Sequence, residues 1–210
     1  MNKINYQKRL EETIDKETKA GHVPTLFLHS CCAPCSSYVL EYLSNYFKIT
    51  VFYYNPNITE EKEYKKRVAE QARLISELDT VYPIQLVEGT YDPQRFYEIT
   101  KGMEQMDEGG ERCFACYRLR LEEAAKLAAD GGFDYVTTTL SISPMKNAEK
   151  LNEIGAEVGE KYGIPWLFSD FKKKNGYKRS VELSKEHDLY RQSYCGCGYS
   201  KAQAKREGRI

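Results

Sequence analysis

No stretch of this 210-residue chain approaches the roughly 20 consecutive apolar residues that a membrane-spanning helix needs. The N-terminus, Met1-Asn2-Lys3-Ile4-Asn5-Tyr6-Gln7, has no apolar core of the kind a secretory signal carries. With a mean hydropathy of -0.65, these absences lead us to expect a cytoplasmic protein. Net charge is lacking too, because 31 Lys and Arg face 31 Asp and Glu, so the chain as a whole is not a basic protein. Glycine is missing where an ATP-dependent enzyme needs it. The turn after the first expected strand reads Ser30-Cys31-Cys32-Ala33-Pro34-Cys35, with no glycine at which a phosphate could approach the backbone.

What is present begins with an uneven spread of charge. Residues 171–210 hold 11 Lys and Arg against 4 Asp and Glu, leaving 20 against 27 in residues 1–170. A cationic end can attract a polyanion even when the whole molecule is neutral, and it can equally be a solvated tail. Apolar patterning predicts a polar helix over 5–20, strands over 25–29, 48–54, 84–88 and 135–139, and a fifth strand at Trp166-Leu167-Phe168. Helices are expected over 36–47, 59–78, from the 113–116 region to 129, over 147–162 and over 178–187, with 89–112 irregular. Strands alternating with helices of 10 to 20 residues imply an α/β fold, a parallel sheet flanked by helices. We expect one catalytic domain over 1–210, with an N-terminal helix in 1–20 and a basic, helical, cysteine-containing segment in 171–210. Ligands of such sheets bind beyond the carboxyl ends of the strands.

Seven cysteines fall into three tight groups, Cys31/Cys32/Cys35, Cys113/Cys116 and Cys195/Cys197. An odd count in a reducing compartment makes a disulfide framework a poor account. Seven buried thiols serving as small hydrophobes would not be grouped this way. The first group lies in a strand-to-helix turn, where a helix N-terminus favours thiolate, the metal-binding form. Cys113-Phe114-Ala115-Cys116 alone fits a redox pair, half a zinc site or two buried thiols. In Cys195-Gly196-Cys197 the glycine permits a tight turn that turns both sulfurs to one metal or into a strained disulfide. A structural zinc takes two such knuckles as a rule, and here there is one. Four thiolates suit an iron–sulfur centre better. The residues thus divide into a cluster held by two groups and a second redox or metal site made of the remaining three thiols.

Leu28-His29-Ser30-Cys31-Cys32-Ala33-Pro34-Cys35, Tyr54-Asn55-Pro56-Asn57-Ile58 and Arg112-Cys113-Phe114-Ala115-Cys116-Tyr117-Arg118-Leu119-Arg120 resemble the cobalamin-independent epoxyqueuosine reductases, the QueH family. So do Thr137-Thr138-Thr139-Leu140-Ser141-Ile142-Ser143-Pro144-Met145-Lys146-Asn147 and Tyr190-Arg191-Gln192-Ser193-Tyr194-Cys195-Gly196-Cys197. The resemblance implies a nucleotide α-hydrolase-like sandwich. It also implies reduction of epoxyqueuosine to queuosine at the tRNA wobble position, the last step of queuosine biosynthesis, without cobalamin. Cys31, Cys32, Cys113 and Cys116 would ligate a 4Fe–4S cluster. Cys195 and Cys197 correspond to a redox-active pair, drawn as a disulfide or as ligands of an adjacent iron, with Cys35 a third ligand where some members carry aspartate. The partners implied are the modified tRNA and an electron donor the sequence does not identify.

With tRNA as substrate, Lys172, Lys173, Lys174, Lys178 and Arg179 become candidates for phosphate contact, and Tyr54, Tyr53 and Tyr117 for stacking on a flipped base. Arg118 and Arg120 fit either phosphate contact or a solvated helix face. His29, Asp92 and Asp170 are candidate acids, His29 being equally a hydrogen-bonded strand residue. Two other readings remain. One is an ATP-dependent tRNA sulfur-transfer enzyme, disfavoured by the turn after the first strand. The other is a zinc-stapled RNA-binding module, which an absorption spectrum distinguishes from an iron–sulfur protein.

Overall fold

A computed structural model describes residues 4–210, so residues 1–3 of the expected N-terminal segment lie outside it. Helix α1 (Tyr6–Lys19) opens at Asn5, whose side chain accepts from the Lys8 N–H at 3.0 Å. Then come β1 (Thr25–Ser30), α2 (Ala33–Leu43), β2 (Lys48–Tyr53), α3 (Glu61–Glu77), β3 (Gln85–Glu88), α4 (Pro93–Ile99) and α5 (Glu111–Asp130). Strand β4 (Tyr135–Thr138) runs into a 3-10 turn, Thr139–Ile142, followed by α6 (Ala148–Tyr162), α7 (Gly176–Glu186) and α8 (Gly198–Arg206). No helix among the described residues is long and apolar enough to cross a membrane.

The four strands form a parallel sheet in the order β3-β2-β1-β4. Alternation of side chains splits β1 between two cores. Leu26 and Leu28 face α2 and the second half of α1, packing with Leu40, Leu43 and Leu10. Phe27 faces α5 and α6 and packs with Phe52, Leu121 and Val158. Burial on both faces explains why β1 reads as one continuous apolar run. Because β2 lies on one side of β1 and β4 on the other, a crevice opens beyond the carboxyl end of β1, where the first cysteines fall.

The expected fifth strand is reduced to one bridge between Trp166 and Val136. The Val136 N–H donates to Pro165 O and the Leu167 N–H to Val136 O, and the ladder then stops. The Thr137 hydroxyl takes Leu167 O at 2.8 Å. Asn152 on α6 takes both backbone groups of Ser169, accepting from its N–H at 3.0 Å and donating to its carbonyl at 2.8 Å. With these groups satisfied by side chains, the segment has none left to extend the sheet. Trp166 instead fills the space over a bare stretch of α6. A Cβ at Gly155 would lie 2.1 Å from the indole, whose N–H donates to Asn152.

Two helices were not expected from sequence. Helix α4 is a short helix inside 89–112, started by the Asp92 carboxylate accepting from the Gln94 N–H at 3.1 Å. Helix α8 begins just after Cys197, whose sulfur accepts from the Ser200 N–H at 3.3 Å. The cationic C-terminal segment therefore folds back along the molecule as α7 and α8, with α7 packed on α2.

Candidate active site

Strand β1 ends at Ser30, and the chain turns through Cys31 and Cys32 into α2. Cys32 is the N-cap residue but makes no capping hydrogen bond, and Pro34 fixes the first turn. Cys35 follows one turn later. The sulfurs of Cys31, Cys32 and Cys35 all lie within 4.8 Å of one another, close enough to share a metal ion. Cys31 Sγ is 3.8 Å from Cys32 Sγ and 3.7 Å from the Thr139 hydroxyl at the end of β4. Hydrogen bonds from the Cys32 and Cys35 thiols hold Cys31 well below the usual thiol range, with Arg120 and His29 adding to the effect against burial. The same hydrogen bonds push Cys32 and Cys35 up. A cation binding all three would displace their protons.

The second group rides on the first turns of α5. Arg112 is buried and donates to Met103 O and Glu104 O, both at 3.1 Å, and to Met106 O. It thereby pins the preceding loop, from which the Gly109 N–H reaches Cys113 Sγ at 3.2 Å. Cys116 is buried against Phe96 and Cys197, and burial pushes its thiol up to about 12. Burial likewise raises Cys197 to about 11. Cys195 Sγ is approached by the Asn57 amide at 3.8 Å and by Lys146 Nζ at 3.6 Å. All seven cysteines are free thiols.

Arg120 relates the three groups. Cys113, Cys116 and Arg120 lie at helical spacing on one face of α5. The guanidinium lies near enough to Cys116, Cys195 and Cys31, one from each group, to interact with each if it ionises. A pocket of about 220 Å³ lies there, walled by Cys31, Cys32, Cys35 and Cys195 and by Arg67, Arg120 and Lys146. Lys146 pairs with Glu108 at 3.1 Å. Burial works against its charge, but Cys195, Tyr117 and Glu108 together outweigh it and keep its pKa well above the ordinary value. Arg67 donates to Glu63 at 2.7 Å and to the Cys195 carbonyl at 3.1 Å.

Gly196 makes the last turn possible. Its φ is +115°, and a Cβ there would sit 3.0 Å from Ile58 Cγ1 and 3.1 Å from Arg67 Nη1. Sequence singled out Arg120 without assigning its role and missed Arg67 and Lys146 as pocket residues. Nothing in a charged stretch such as Arg67's marks which cation turns inward. Lys146 lay inside a motif, and its burial was the missing signal.

The other candidates distribute as follows. His29 is fully buried, its Nε2 against Tyr54 O at 3.0 Å and its Nδ1 against the Thr138 hydroxyl at 2.9 Å. Burial first, then Arg120, lowers its pKa to about 3, so it is a neutral strand residue and no proton donor near neutrality. Tyr54 is a core residue stacked on Phe52 with ring centres 5.6 Å apart, and Tyr53 and Tyr117 are equally buried, so none presents a face to an incoming base. Arg118 sits on the outer face of α5 and pairs with Glu157. Asp92 caps α4, and Asp170 pairs with Lys172 at 3.0 Å. Lys172 also donates to Ser141 O, and Lys174 reaches Glu11. Arg179 is committed to Glu41 and Glu186. Lys173 and Lys178 extend into solvent.

A parallel α/β sheet whose strand β1 opens into a pocket of thiols and buried cations brings together side chains able to bind a metal. The family model described as "Epoxyqueuosine reductase QueH" matches residues 26–203. The chain is 41% identical over 202 residues to the epoxyqueuosine reductase QueH of Staphylococcus epidermidis, covering 94% of this chain and 85% of that protein. It is 42% identical over 200 residues to that of Streptococcus pyogenes, covering 94% and 78%, and 34% identical over 182 residues to that of Thermotoga maritima, covering 84% and 90%. The chain belongs to the epoxyqueuosine reductase QueH family.

Proposed function

We propose that this protein reduces epoxyqueuosine to queuosine in tRNA. The observation that carries the reading is the pocket itself, in which thiols from two cysteine groups meet three buried cations beyond the central strand, beside the third group. Opening the epoxide to an alkene consumes two electrons and two protons and releases water, so the site must gather electrons and hold an oxygen that becomes anionic.

The sulfurs of Cys31, Cys32 and Cys35, within 4.8 Å of one another, are chemically suited to iron. Cys31, Cys32, Cys113 and Cys116 would hold a 4Fe–4S cluster, while Cys195, Cys197 and Cys35 would form the neighbouring redox or metal site. The closeness of Cys35 to Cys31 and Cys32 makes it a member of either set. When bound, such a centre supplies electrons one at a time and a Lewis acid for the oxygen. The chain's own residues bind and orient. Lys146, held by Glu108 beside Cys195, presents a fixed positive charge to a developing oxyanion. Asn55 donates to Ser30 O at 2.8 Å and keeps the cysteine turn in place. Of the five candidate cations, Lys173 is exposed without a carboxylate partner and Lys178 meets Glu182 only at 3.9 Å, while Lys172, Lys174 and Arg179 would first have to leave closer protein partners.

Anaerobic reconstitution, an iron and sulfide assay, and nucleoside analysis of tRNA carrying epoxyqueuosine after incubation with the loaded protein and excess dithionite as electron source test the reading together. Iron and sulfide in the protein with loss of the epoxide nucleoside support it, and a loaded protein that leaves the epoxide untouched refutes it. Normal turnover by a Cys195→Ser, Cys197→Ser variant removes those residues from the reaction.

A further inference from the structure

Arg120 is a deeply buried cation of the pocket that no carboxylate neutralises. It is 1% exposed. Its Nε donates to Cys116 O at 3.2 Å and its Nη1 to Asn55 Oδ1 at 3.3 Å, both neutral acceptors, and Nη2 has no partner. Among the described residues no Asp or Glu pairs with it, and its neighbours are the thiols of Cys116, Cys195 and Cys31 and the Tyr117 phenol. Arg67 and Lys146 differ, since each has a carboxylate, Glu63 and Glu108. A guanidinium does not give up its proton in a protein. A buried charge without a counter-charge is strongly unfavourable, so a group of opposite sign belongs beside it.

We propose that Arg120 is a positioning residue whose counter-ion is the thiolate-ligated centre, and that its charge holds the reduction potential of that centre up. This rests on the iron–sulfur reading above. Cys116 and Arg120 are one helical turn apart, so α5 supplies ligand and counter-charge on a single rigid element. A positive charge beside the centre favours the reduced form, which carries one more electron. A phosphate of the substrate is the less fitting counter-ion, because the guanidinium is closed off from solvent and walled by thiols.

Wild type, Arg120→Met and Arg120→Lys are compared as full chains. In the metal-free state Arg120→Met melts at or above the wild-type temperature, since an uncompensated charge has been removed; a variant that fails to fold overturns the proposal. After anaerobic loading, with iron per chain measured, loading raises the melting temperature of wild type more than that of Arg120→Met. The midpoint potential of Arg120→Met falls so that the reduced-to-oxidised ratio at a fixed potential drops about tenfold, equivalent to about 59 mV for a one-electron couple. Arg120→Lys recovers most of the shift. An unmoved potential in Arg120→Met overturns the proposal, and so does a raised KM for tRNA at unchanged potential, which would make Arg120 a phosphate anchor. A wild type that takes up no iron and sulfide defeats the iron–sulfur reading itself, whereas a loaded wild type with an indifferent Arg120→Met defeats this inference alone.

Discussion

Replacing Gly196 with alanine tests whether the Cys195–Cys197 turn is shaped by its surroundings or only by its own backbone. Two costs are expected. An L-residue at positive φ costs about 1–2 kcal/mol. The new methyl also presses on Arg67 Nη1 at 3.1 Å, and Arg67 cannot retreat freely because Glu63 holds its Nε and Cys195 O its Nη1. Losing one such charge-assisted bond costs about 1.5–3 kcal/mol. Gly21 supplies the control, since its φ is +65° and nothing lies within 4 Å of where a methyl would stand, so Gly21→Ala reports the backbone cost alone. For a chain of this size about 1 kcal/mol corresponds to about 2–4 °C. Gly196→Ala should lower Tm by about 5–20 °C and Gly21→Ala by about 2–8 °C, read by circular dichroism under reductant. Equal shifts for the two variants would refute the idea that Arg67 packs the turn.

Three further outcomes follow from the geometry. Gly155→Ala should lose about 2 kcal/mol in denaturant unfolding despite alanine's better helix propensity, because overpacking against a hydrogen-bonded Trp166 outweighs a gain of about 1 kcal/mol. The Thr25 N–H holds the Asp134 carboxyl below its ordinary value of 3.8, so the unfolded chain takes up a proton there first as pH falls; stability contributed above pH 3.8 is lost below it, and Asp134→Asn should flatten that part of the acid-unfolding curve. Lys173→Ala should weaken tRNA binding at low salt and reduce the salt slope by about 1, whereas Arg179→Ala should lower stability by about 1 kcal/mol through loss of the Glu41 and Glu186 pairs, checked by filter binding and thermal melting.

Much of this architecture could be read from residue order. Continuous apolar runs at β1 and β2 marked strands covered on both faces, and the cysteine turn fell where such sheets bind ligands. The Trp166 segment misled because an apolar triplet looks the same whether its backbone pairs with a strand or with an asparagine side chain, and Asn152 decided between them. Helix α4 hid because its seven residues bury little beyond Phe96. The grouping of cysteines was visible, but their electrostatic company was not. Arg67, Arg120 and Lys146 look like any surface cation in a chain that is 30% charged, and only tertiary packing turned them inward. Tyr54 shows the converse, an aromatic beside a motif that proves to be core.

The thiols in and beside the pocket come from three stretches of chain, the last at residues 195–197. Translation therefore delivers five thiols well before the sixth and seventh. A growing polypeptide carries an open, solvent-washed half-site until its later segments fold against α3 and the Asn55–Ile58 bend. The enclosing wall is thereby completed only when the 195–197 turn seats Gly196 against Ile58 and the Cys195 carbonyl against Arg67.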